Sequence, residues 1–64
     1  MYLLKAYYLG QSHPTESRVA LTAPSALELI PEMLAAHPEC DRIEVMCGAA
    51  YLFAVDRYGT RLAD

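Results

Sequence analysis

A thiol, an imidazole and two carboxylates stand together in the run His37-Pro38-Glu39-Cys40-Asp41. His37 could take the proton of Cys40 and make it a nucleophile. The same two side chains, with His13 from an earlier loop as a third, could also begin a zinc site. Both readings are incomplete. No third group is identifiable to orient His37, and no oxyanion donor is evident. A structural zinc site needs four ligands. His37 also has a plainer use, because an imidazolium at the end of a helix favours the helix dipole. The sequence is therefore read as having no catalytic residue, no cofactor-binding residue and no metal ligand. A small enzyme or metal protein using His37 and Cys40 stands as an alternative.

The other reactive pairs fare no better. If the residues between Cys40 and Cys47 are extended, at about 3.3 Å per residue the two thiols lie about 20 Å apart. A disulfide needs Cα atoms within about 7 Å, so these cysteines neither bridge nor share a metal. Cys47 reads as a small core residue and Cys40 as a loop thiol. Glu28 and Glu32 fall four apart on one helix face, where solvent holds both. Glu39, Asp41 and Glu44 make a mild acidic patch that could guide a basic partner. With only Gly10, Gly48 and Gly59 available, no phosphate-cradling glycine loop can be written.

Tyr2, Tyr7, Tyr8, Tyr51 and Phe53, all on expected strands, bring to mind sheet platforms that stack RNA bases. Such platforms carry basic residues alongside. Here Lys5, Arg18, Arg42, Arg57 and Arg61 are scattered and the net charge is −3, so no direct nucleic-acid partner is expected. Hydrophobic residues make up 55% and charged residues 20% of the 64, the profile of a chain that folds. No apolar run approaches the ~20 residues of a membrane span, and Met1–Leu4 does not open a secretory leader. No membrane partner is expected. Two cysteines without such a leader point to the cytoplasm.

The elements that must position these residues read as follows. Residues 2–9 form a strand apolar on both faces, with Tyr2, Leu4, Ala6 and Tyr8 on one side and Leu3, Tyr7 and Leu9 on the other. Residues 10–15 are loop. Residues 16–22 form a second strand with a polar outer face that holds Arg18. Pro24 opens a helix over residues 25–37 with Ser25 and Glu28 as a capping box. Its apolar stripe is Leu27, Ile30 and Leu34, flanked by Met33, and Pro31 should kink it. Residues 41–47 alternate cleanly, with Ile43, Val45 and Cys47 inward. Gly48-Ala49 turns the chain into a strand over 50–56, with Tyr51, Phe53 and Val55 on one face. Asp56-Arg57-Tyr58-Gly59 suits a type I turn, and 60–62 suit a stub strand.

The result is one α+β domain, 1–64, in the order ββαββ, with a four-stranded, mainly antiparallel sheet and one Pro-kinked helix on one face. A single helix covers one side of such a sheet only. Apolar side chains remain for the other side, and exposed apolar patches mark interaction sites. The expected function is a non-catalytic protein-binding module that self-associates, as a dimer, through Leu3, Tyr7, Leu9, Tyr51 and Phe53. Another protein is the alternative partner. Small size and mild acidity also suit an inhibitor of a larger bacterial or viral machine, such as a phage anti-defence protein.

Overall fold

The computed structural model describes residues 1–62. Its elements are β1 (Tyr2–Tyr7), β2 (Glu16–Ala20), α1 (Ala23–Ala36), β3 (Arg42–Cys47) and β4 (Ala50–Asp56). The strands form one antiparallel sheet in the order β2-β1-β3-β4. The helix packs on one side of it, over β1 and β2 and as far as β3. This is the ββαββ arrangement read from the alternation of apolar residues.

Each strand stops where a local signal stops it. β1 ends at Tyr7 because the chain turns there: Gln11 N–H donates to the Tyr8 carbonyl at 3.1 Å, and Gly10 takes a φ of +82°. β2 ends at Ala20, short of the expected 22, because Thr22 is taken by the helix. Gly48 has a φ of +60° while Ala49 has a negative one, the sign pattern of a type II′ turn rather than I′. After β4, Gly59 N–H donates to the Asp56 carbonyl at 3.0 Å, and the Asp56 carboxylate accepts from the Tyr58 and Thr60 amides. Residues 60–62 then run back beside β4, bridging Val55 to Arg61.

The helix starts two residues earlier than its sequence suggests. Thr22, not Ser25, is the N-cap, and its Oγ1 accepts from the Ser25 amide at 3.3 Å. Pro24 falls in the first turn, where a missing amide hydrogen costs nothing. The helix runs unbroken through Pro31, which lies on its exposed side. There the Leu27 carbonyl, deprived of its usual donor, can turn to solvent.

The core lies between helix and sheet. Leu4, Ala6, Met33, Cys40 and Ile43 are fully buried, and Val45, Val55, Ala20 and Ala26 nearly so. Three expectations about facing are corrected here. On the helix, Ala26 and Met33 point inward while Leu27 is 59% exposed. The cause is the helix's position: it sits over β1 and β2, so Leu27 overhangs the uncovered strip beside β4. On β2, the side that carries Arg18 faces the helix, and Val19 is 55% exposed on the far side. Arg18 is accommodated because β2 is an edge strand, where it reaches Glu32 of α1 at 3.6 Å. On β4, a bulge opposite Val45 and Met46 breaks the alternation. Val45 pairs with Phe53 and Met46 with Tyr51, which leaves Leu52 as the extra residue. Phe53 and Tyr51 therefore point to opposite sides of the sheet.

Candidate functional site

The strand registers lay out the side away from the helix as three rows across the sheet. The first row is Val19, Leu3, Met46 and Tyr51. The second is Ser17, Lys5, Glu44 and Ala54, and the third is Tyr7, Arg42 and Asp56. The first row is wholly apolar and crosses all four strands. Its ends are open to solvent, with Tyr51 48% exposed and Val19 55% exposed.

Of the five residues read as anchors, the structure brings Leu3, Tyr7 and Tyr51 to this face. Tyr7 is already covered within the chain: it is 8% exposed, and the Arg42 guanidinium stacks 4.4 Å from its ring centroid. Leu9 lies beyond the end of β1, in the exposed turn. Phe53 is on the helix side, opposite Val45, with the Arg61 guanidinium 5.0 Å from its ring centroid. Val19 and Met46 belong to the face and were missed. Alternation along 41–47 leaves Met46 on the side opposite Ile43, Val45 and Cys47, but only pairing with Leu3 and Tyr51 makes it part of an apolar row.

Arg42 anchors the charged part of the face. Its Nε donates to Glu44 Oε2 at 2.8 Å and its Nη1 to Asp41 Oδ2 at 3.0 Å. The hydrogen bond to Glu44 is the largest cause that raises its pKa above the usual guanidinium range. Lys5 sits between Ser17 and Glu44 and forms no ion pair among the described residues.

A second polar constellation lies at the opposite end from the apolar row, where β1 ends and β2 begins. The Tyr8 hydroxyl is 3.1 Å from His37 Nδ1, and His37 Nε2 is 2.8 Å from Glu16 Oε1. The rings of Tyr8 and His37 meet edge to face at 5.9 Å. With the imidazole neutral, Nε2–H donates to the carboxylate and the hydroxyl donates to Nδ1. The relay ties the C-cap of α1 to the residue that follows β1 and to the first residue of β2. Sequence reasoning missed it because the partners are 21 and 29 residues from His37.

The relay also bears on the thiol reading. Both ring nitrogens of His37 are engaged, and Cys40 is fully buried in the core cluster. Burial pushes the Cys40 thiol up, against a smaller pull from Arg57. Cys40 is thus a core residue rather than a loop thiol. His13 lines a separate polar hollow formed by the loop from Gly10 to Thr15. Among the described residues no three of His, Cys, Asp and Glu gather as metal ligands.

On the helix side, the strip beside β4 forms an apolar groove of about 210 Å³ between Tyr2, Ala26, Leu27, Ile30, Leu52 and Phe53. Among the described residues no helix is long and apolar enough to cross a membrane. The chain matches no protein-family model, no curated protein and no solved structure.

Proposed function

We propose that the protein is a non-catalytic protein-binding module that self-associates through the open face of its sheet. The observation that carries this reading is the apolar row Val19, Leu3, Met46 and Tyr51, which spans four strands on the side with no helix. Covering such a row removes apolar surface from water, at about 25 cal/mol per Å². A second copy is a suitable cover because the same row recurs on it.

Other features support the same reading. Four of the five basic residues are occupied within the chain: Arg18 by Glu32, Arg42 by Glu44 and Asp41, Arg57 by the Tyr58 ring and Arg61 by the Phe53 ring. Little positive charge remains to follow a phosphate backbone. The reading puts the protein in the cytoplasm, where two free cysteines stay reduced.

The face is small. Four strands about 4.8 Å apart and six residues of about 3.3 Å each give a flat footprint of about 400 Å² per copy. A standard interface takes about 800 Å² from each partner. Association is therefore weak and concentration-dependent. Light scattering after size exclusion, over a series from micromolar to millimolar, tests it. The mass of the native chain should climb from 7.1 kDa toward twice that value. Tyr51→Lys, at an exposed position, should stay monomeric and folded. A native chain that remains at 7.1 kDa throughout overturns the proposal.

A further inference from the structure

We infer that the two copies meet face to face about a two-fold axis that runs parallel to the strands, between β1 and β3. This rests on the self-association reading above and specifies its geometry. A closed dimer uses the same patch on both copies, so the patch must complement itself. Two simple axes in the plane of the face are available, one along the strands and one across them.

The axis along the strands reverses each row onto itself. Leu3 then lies over the partner's Met46 and Val19 over the partner's Tyr51, so apolar meets apolar. Lys5 lies over the partner's Glu44, and Glu44 over the partner's Lys5. The axis across the strands, through the middle row, does the opposite. It stacks Lys5 on the partner's Lys5 and Glu44 on the partner's Glu44. It also lays Met46 over the partner's Arg42 and Tyr51 over the partner's Asp56, taking charge out of water against apolar side chains. Like charges facing each other and unpaired buried charges both oppose association.

Two details of the chain fit the first axis. Lys5 pairs with no carboxylate among the described residues. Arg42 engages only Oε2 of Glu44, and among the described residues Oε1 takes no hydrogen bond. The partner's Lys5 can occupy that oxygen. Packed sheets cross at about 30°, which carries the outer strands out of register first. Lys5 and Glu44 flank the axis on the two central strands, so they stay matched.

Charge exchange tests the geometry. Lys5→Glu and Glu44→Lys each set like charges face to face twice in a homodimer, and each should dimerise at least about tenfold more weakly than the native chain. Mixed together, the two variants present Glu over Lys at both contacts. Native mass spectrometry of the mixture, with one variant isotopically heavy, should show mainly heterodimer. The double variant K5E/E44K should regain native dimerisation. Should Glu44→Lys fail to fold, the native chain still gives an answer. Carbodiimide cross-linking of mixed light and heavy chains should join Lys5 of one copy to Glu44 of the other. Native dimers with variants that pair at random, or with no light-to-heavy Lys5–Glu44 cross-link, overturn this axis and leave self-association standing. A native chain that never dimerises overturns both.

Discussion

Replacing Met33 with alanine should cost far more stability than replacing Leu27, although the sequence pattern ranks them the other way. Met33 is fully buried between α1 and the sheet. Truncating a buried Met, Leu or Ile to Ala typically costs about 2–5 kcal/mol, through lost transfer energy and the cavity left behind. At about 0.05–0.15 kcal/mol per residue, a domain of this length has about 3–10 kcal/mol in total. Met33→Ala therefore removes a large share of the stability and brings the midpoint of unfolding close to zero denaturant. Leu27 is 59% exposed, so less than half of its side chain is lost from an apolar environment. At about 0.8 kcal/mol per fully buried methylene, Leu27→Ala costs about 1 kcal/mol. The better helix propensity of alanine offsets part of that. Urea unfolding followed by circular dichroism measures both, at low micromolar protein so that association does not contribute. Equal losses for the two variants, or a larger loss for Leu27→Ala, would refute the orientation of the helix. The groove beside β4 would then be filled by Leu27 rather than overhung by it.

The thiols and the relay give two further tests. Cys47 should react with a disulfide reagent at neutral pH well before Cys40, which is sealed in the core and whose thiolate is disfavoured. Because folding raises the Cys40 pKa, its contribution to stability is complete below the unfolded value of about 8.5 and is lost as pH rises through the folded one. Stability should fall more steeply above that pH in the native chain than in Cys40→Ala, and equal slopes or equal labelling rates would count against the buried placement. His37→Ala removes contacts to both Tyr8 and Glu16 and should cost about 1–3 kcal/mol, at about 0.5–1.5 per hydrogen bond. Tyr8→Phe should cost about 0.5–1.5 kcal/mol in the native chain and close to nothing once His37 is alanine. Strict additivity in that double-mutant cycle would mean that the two side chains do not interact.

What the sequence determined is the order and type of the elements and the places where they turn. Strict alternation in Arg42–Cys47 specifies a strand and also its inward set, Ile43, Val45 and Cys47. Gly48 specifies the hairpin because only glycine takes its positive φ without strain. Asp56 and Gly59 specify the turn that follows. These are short-range effects, carried by residues a few positions apart. That one helix leaves a sheet face uncovered also follows from the number of elements alone.

The tertiary structure decided which face is which. Alternation divides a strand into two sets without saying which set meets the helix, and on β2 the polar set does, because an edge strand lets Arg18 and Glu16 reach α1 at its rim. The bulge on β4 inserts Leu52 and sends Tyr51 and Phe53 to opposite sides, a shift that depends on pairing with β3. The placement of α1 over β1 and β2 turned Met33 inward and left Leu27 outside. The apolar row and the Tyr8–His37–Glu16 relay share this origin. Their members are brought together by register between strands and by helix docking, and contacts between residues so distant in the chain leave no local pattern to read.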